Sequence, residues 1–243
     1  MKKESKKIKV LILPTLKNME GVTEKFSFPV DFVEGKFSHL QFLFRGGKVF
    51  ITHQGKDLKD FSFVWLSSSW KNRDLAYAVG LYLKRFGVPF TRVEKSTSKI
   101  TDQVAFALNN IKTPDTLFFG GADIEKHLGQ LKKYCGFPLV VKDVKGSRGV
   151  SSLCVNSEEE LVEKMKELPK HKKYLFQKYI PNKYDWGILV SNGKVAASEK
   201  SYPREGEFRN NVCNGAKEVF VDPAAVPEEL KQMALKAGEV MKL

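Results

Sequence analysis

Apolar positions along the chain come in short runs, and their spacing switches between the period of a strand and that of a helix. Ile8–Leu13 is a compact apolar run that predicts a strand. From Phe26 to Phe63 the alternation is weaker but carries Phe42, Phe44 and Phe50, as half-buried strands do. Phe61–Leu66 is a further apolar run. Leu75, Val79, Leu83 and Phe86 then recur at helical spacing behind Asn72 as a cap, and Gly87 with Pro89 ends that helix. Val88–Val93 predicts the returning strand of a parallel βαβ unit. A second helix is expected from Ser96 to Asn110, capped by Ser98 or Thr97. Its buried side is Ile100, Val104, Ala107, Leu108 and Ile111, and Asn110 sits where a left-handed residue belongs.

The second half alternates in the same way. Leu117–Phe119 predicts a short strand broken at Gly120-Gly121, and Ile124, Leu128 and Leu131 mark a helix closed by Gly136. Phe137–Val141 and Ser151–Val155 predict strands on either side of a loop, Lys142–Val150. Ser157 and Glu160 form a capping box for a helix with Leu161, Met165 and Leu168 facing inward. Tyr174–Ile180, Trp186–Val190 and Val195–Lys200 read as strands, the last two joined by a Ser191-Asn192-Gly193 hairpin turn. Arg204–Gly215 is a polar loop, Glu218–Val221 a further strand, and Pro227 opens a final helix with Leu230, Met233, Leu235, Ala237 and Met241. That helix is still running at Leu243, which suggests either a chain shorter than its domain or an ordinary frayed end.

Composition narrows the class. Of 243 residues 42% are hydrophobic, enough for real cores, and the length suits one or two domains. No run approaches the roughly 20 apolar residues of a membrane span, and Val10–Leu13 is too short for a signal-peptide core, so a soluble cytoplasmic protein without membrane contact is expected. Cys135, Cys154 and Cys213 are odd in number with no CxxC pair, and His39, His53, His127 and His171 form no HxxxH pattern. Neither a disulfide framework nor a metal site is expected from them. The net charge of +13 suits nucleic acid, anionic lipid or a polyanionic small molecule. Much of it is lysine scattered over helix faces, with no basic stripe interleaved with aromatics, which disfavours nucleic acid.

Three stretches carry candidate chemistry. In FPLVVKDVKGSRGVSSLCV a buried strand delivers Lys142 to a glycine-bounded loop and a second strand leaves. Strand-to-strand order excludes a P-loop and a dinucleotide fingerprint, both of which run from strand to helix. Such a loop can still turn N–H groups toward an anion, with Lys142 as a fixed point charge, or it is a hairpin whose glycines merely permit positive φ. In KYLFQKYIPNKYDWGILV a strand ends near Gln177-Lys178-Tyr179-Ile180 and restarts at Asp185. A strand end can read an adenine edge, and a nearby carboxylate can accept from ribose; the alternative is two strands and a turn. In GEFRNNVCNGA, Arg209, Asn210 and Asn211 share a loop, suited to phosphate or metal-bound water, or are polar surface.

In this order the stretches SKITDQVAFALNNIKTPDT, PLVVKDVKGSRGVSS, FQKYIP, YDWGILVSNGKVAASEK and EFRNNVCNGA resemble the ATP-grasp superfamily, most closely its RimK-like carboxylate–amine ligases, from about Ser98 to Leu243. The resemblance implies an α/β (α+β) ATP-grasp fold. It also implies a pre-ATP-grasp α/β domain over 1–95, an N-terminal ATP-grasp subdomain over 96–175, and an incomplete C-terminal subdomain over 176–243 whose final strands are missing. It implies ATP as partner, with Lys99 and Lys142 on the α- and β-phosphates and Gly146, Ser147, Arg148 and Gly149 as the loop over them. Lys178 and Tyr179 would hold adenine, Asp185 the ribose, and Arg209, Asn210 and Asn211 the γ-phosphate and acyl-phosphate, Arg209 and Asn211 being catalytic. Such enzymes phosphorylate a carboxylate with ATP and Mg²⁺, and an amine or amino acid then attacks. Lys178 replaces a usual acid, Gly187 stands where Arg is common, and the family's Mg²⁺ ligands are expected beyond Leu243, with no metal ligand assigned in this chain. A nucleotide-binding module without ligase activity is the alternative, and a homo-oligomer stays open.

Overall fold

A computed structural model describes residues 8–16, 19, 21, 24–27, 29–67, 72–121, 123–146, 149 and 151–241. In chain order the strands of the first third are β1 (Ile8–Leu13), β2 (Val30–Glu34), β3 (Leu40–Arg45), β4 (Lys48–His53), β5 (Lys56–Asp57) and β6 (Phe63–Leu66). Helices α1 (Arg73–Arg85) and α2 (Lys99–Leu108) follow, then β7 (Thr116–Phe119), α3 (Leu128–Tyr134), β8 (Leu139–Asp143), β9 (Ser152–Val155) and α4 (Glu158–Glu167). The last part holds β10 (Tyr174–Lys178), β11 (Asp185–Ser191), β12 (Lys194–Tyr202), β13 (Lys217–Val221) and α5 (Glu228–Met241).

Three sheets result. β2-β1-β6 is parallel, and all three of its strands precede α1. The expected third leg of that βαβ unit, Val88–Val93, is reduced to one bridge between Phe90 and Val64. Pro89 has no N–H to give, and its carbonyl accepts from Val64. Thr91 then uses its hydroxyl in place of the ladder: Oγ1 accepts from Leu66 N at 2.7 Å and donates to Leu66 O. Two details of α1 also differ. Phe86 is 47% exposed, because it is already the cap residue past the last helical turn. Asn72 makes no side-chain cap; its Oδ1 accepts from Lys173 Nζ at 3.2 Å.

The second sheet is antiparallel and has seven strands, in the order β5-β4-β3-β7-β10-β8-β9. The hairpin strands before residue 95 therefore share a sheet with those after it, through β3 and β7. Alternation decides its two faces. Phe42, Phe44, Phe118 and Leu175 join one core with Leu11, Leu66, Leu75 and Val104, which brings in the parallel sheet, α1 and α2. Leu117, Phe119, Leu139, Val141 and Phe176 face the other way, onto Leu131 of α3 and Leu161 of α4. At the end of β7, Gly120 lies against the Phe37 carbonyl so closely that no Cβ would fit.

The third sheet, β11-β12-β13, is an antiparallel meander whose first turn pairs Ser191 with Lys194. α5 packs on it with Gly238 against Val190, leaving Leu230, Met233, Leu235, Ala237 and Met241 half-buried.

Candidate active site

Lys142 is the fourth residue of β8, on the face of the sheet shared with α2. Its Nζ donates to Gln177 Oε1 at 2.6 Å, across the register that pairs β8 with β10. Gln177 in turn donates from Nε2 to Thr116 Oγ1 at 2.9 Å, and the Thr116 hydroxyl donates to Pro114 O at 2.8 Å. Among the described residues no carboxylate pairs with Lys142. Burial lowers its pKa below the ordinary lysine value, and the charge of Lys99 lowers it further.

Lys99 reaches the same region from α2. Ser98 caps the helix, accepting from Thr101 N, and the Lys99 N–H donates to Val144 O at 3.2 Å. That anchor sets Lys99 Nζ against the carbonyls of Asp143 (3.0 Å) and Gly146. Burial lowers its pKa too, partly opposed by the charges of Asp143 and Asp102. Asp143 is the joint of this loop. Only 6% exposed, its carboxylate accepts from Lys172 Nζ at 2.8 Å and Lys145 N at 3.0 Å. Burial pushes that carboxyl up, but the bonds from Lys172 and Lys145 and the charges of Lys172 and Lys99 outweigh it and hold the pKa below normal.

Beyond Gly146, the expected loop residues Ser147 and Arg148 lie outside the described residues. Gly149 is described, with φ +70°, a region that suits glycine. It touches the Arg-Asn-Asn loop in two ways: its carbonyl accepts from Arg209 Nη1 at 3.2 Å, and a Cβ there would strike the Asn211 amide. Arg209 is also clamped by Glu207, Nη2 to Oε2 at 2.7 Å and Nε to Oε1 at 2.9 Å. Those bonds, with the Phe208 and Arg209 amides, hold the Glu207 carboxyl down to about 2.

Asn210 donates to Asn182 Oδ1 at 2.9 Å and hydrogen-bonds Asp185, the first residue of β11. Burial raises the Asp185 pKa, with the Asn210 bond opposing. The Asn210 carbonyl oxygen is buried and has no partner among the described residues, an orphan acceptor of the kind that calls for a donor. Lys178 ends β10 with an exposed side chain and its N–H on Asp115 O at 2.9 Å, and Tyr179 is half-buried after it. Gly187 is filled by a neighbour: Glu199, its register partner on β12, occupies the space a side chain would take.

The expected residues thus form two groups. Lys99 of α2, Lys142 of β8 and Gly146 of the loop after β8 form one group; Asp185, Arg209, Asn210 and Asn211 sit on and around the meander; Gly149 joins them. Sequence reasoning missed Gln177, Thr116, Asp143, Lys172 and Glu207. A polar Gln inside the apolar strand YLFQKYI was the one visible signal.

A model of the RimK-like ATP-grasp domain matches residues 96–243. Among curated relatives, a probable alpha-L-glutamate ligase of Syntrophotalea carbinolica is 30% identical over 156 residues, 62% of this chain and 50% of that protein. Human N-acetylaspartylglutamate synthase A is 26% identical over 136 residues, 55% of this chain and 34% of that protein. The chain spans about half the length of the first relative and a third of the second. Among solved structures, a D-alanine–D-alanine ligase from Bacillus anthracis aligns over 97% of this chain and 79% of that one at 15% identity and a TM-score of 0.47. The domain match covers more than half of the chain, which therefore belongs to the RimK-like ATP-grasp family.

Proposed function

We propose that this chain binds ATP where the two groups of residues meet, as part of a ligase that joins a carboxylate to an amine. The observation that carries the reading is the half-buried ammonium of Lys142, hydrogen-bonded to a neutral amide and paired with no carboxylate among the described residues. A charge partly withdrawn from water favours a counter-charge, and a triphosphate would supply it. Lys99, close enough to depress Lys142, would share the same phosphates.

In this reading the loop Gly146–Gly149, with Ser147 and Arg148, covers the phosphates, and the backbone at Lys178 and Tyr179 meets adenine. Asp185 takes the ribose hydroxyls, and the orphan Asn210 oxygen accepts from a bound hydroxyl or water. Arg209, already fixed by Glu207 and Gly149, and Asn211 face the transferring phosphoryl group. ATP supplies the leaving group: a carboxylate oxygen attacks the γ-phosphorus, ADP departs, and an amine then displaces phosphate from the acyl carbon. The names of both curated relatives contain glutamate, so an amino acid, glutamate first, is the proposed amine. The division at residues 95 and 175 and a cytoplasmic location belong to the same reading; among the described residues no helix is long and apolar enough to cross a membrane. Among the described residues no three His, Cys, Asp or Glu side chains converge as a metal site.

Millimolar ATP is expected to raise the melting temperature of the native chain, and Lys142→Met to remove the rise. An unshifted melting curve for the native chain overturns the reading.

A further inference from the structure

On the α4 side of the seven-stranded sheet lies a cavity of about 520 Å³. The sheet separates it from Lys142: Lys142 and Gln177 project to one face, while Phe119, Tyr174 and Phe176 belong to the other. The cavity is therefore distinct from the proposed nucleotide site. Its size falls within the roughly 300–1,000 Å³ of small-ligand clefts.

Its chemistry is two-part. Phe119, Ile124 and Phe176 form an apolar floor with Met165 and Leu168 at the end of α4. Lys166, Lys170, His171 and Lys172 line it too, as do Asp123 and Glu125, of which Asp123 is paired with Lys126 at 2.6 Å. A neutral hydrocarbon would leave the exposed ammonium groups of Lys166 and Lys170 unused, and a polyanion would waste the apolar floor. An apolar body with one carboxylate answers both.

One lining residue is also bonded to the end of β8, where the loop after Lys142 begins. Lys172 is the lysine paired with Asp143 at 2.8 Å, and the same aspartate receives the Lys145 N–H and, at its carbonyl, Lys99 Nζ. The adjacent turn residue Val144 donates its N–H to Lys173 O at 2.9 Å. Cavity wall and loop therefore share hydrogen bonds.

We propose that this cavity is a second ligand site, for a small amphipathic carboxylate, and that its occupant competes with Asp143 for Lys172 and so loosens the loop that carries Lys145 and Gly146. The binding part stands without the nucleotide reading; only the effect on ATP rests on it.

The probe is 4-phenylbutyrate, with uncharged 4-phenylbutanol as its control, titrated calorimetrically into the native chain. Saturable binding is expected, about tenfold weaker for the alcohol and for the exposed double variant Lys166→Glu/Lys170→Glu. At saturation the Lys145 amide should exchange its hydrogen faster, and the ATP Kd should rise about fivefold. Lys172→Met is expected to speed that exchange without ligand and to remove the ligand's further effect. The site is overturned if phenylbutyrate does not bind saturably, or binds no better than the alcohol and equally to the double variant. Unchanged Lys145 exchange at saturation overturns the competition for Lys172. If ATP fails to bind while phenylbutyrate binds and exchange responds, the nucleotide reading falls and this site stands.

Discussion

At the scale of single residues, the partner chosen for Lys142 matters as much as the lysine. Gln177 stabilises the ammonium without neutralising it, and the bond from its NH₂ group to Thr116 fixes which amide atom faces Lys142. Gln177→Leu would leave a half-buried donor without its protein partner, at a cost of about 1 kcal/mol, seen as a lower melting temperature and weaker ATP binding. Gln177→Glu, which pairs the charge internally, should restore stability but not ATP affinity. Equal ATP binding by all three proteins would refute this role.

The depressed pKa of Lys142 gives a pH signature with opposite signs for folding and binding. The unfolded chain, with the ordinary value of 10.5, binds more protons than the folded one between the lowered value and 10.5. Stability from this group therefore rises with pH across that window. A bound triphosphate would restore the proton, so ATP affinity should fall across the same window with proton uptake, measurable by calorimetry in buffers of different ionisation enthalpy. Lys142→Met should flatten both trends.

At the scale of elements, the N-terminus of α2 and the β8–β9 loop act as one unit. The Ser98 cap starts the helix where the Lys99 amide can hold Val144, and that register sends Lys99 Nζ to the Asp143 and Gly146 carbonyls. Ser98→Ala should cost about 1 kcal/mol by loss of the cap and should also weaken ATP binding as the first turn frays. A thermal shift assay with and without ATP separates the two effects. This cap, the helix and its left-handed end at Asn110 were readable, because capping and periodicity are local properties. The strand expected at Val88–Val93 was not, since the hydroxyl of its own Thr91 takes the place of the ladder on Leu66, a partner 25 residues away in the chain.

At the scale of the molecule, β3 joins β7 and so ties the early hairpin to the strands that carry Lys142 and Gln177. Phe42 and Phe118 meet edge-to-face at 5.4 Å across that junction, both fully buried. Phe42→Ala should cost about 3–5 kcal/mol. Because one core lies under both segments, amide exchange should quicken across β3, β7 and β10 together rather than in the hairpin alone. Exchange confined to the hairpin would show that the segments are independent.

The amino-acid order alone determined most strands and helices, the Ser98 and Ser157 caps, the lysine near the end of an apolar strand, and the motif order that marks the family, but not the strand at Val88–Val93 or a cap at Asn72. Those features depend on neighbours a few residues away, and local sterics and period decide them. Tertiary structure decided that Gln177 and Thr116 hold Lys142, that Lys172 braces Asp143, that Glu207 clamps Arg209, and that Gly149 meets Asn211. Except for Glu207 and Arg209, these pairs join residues far apart in the chain. Strand register and sheet order bring them within hydrogen-bond range, and neither is encoded in any short segment.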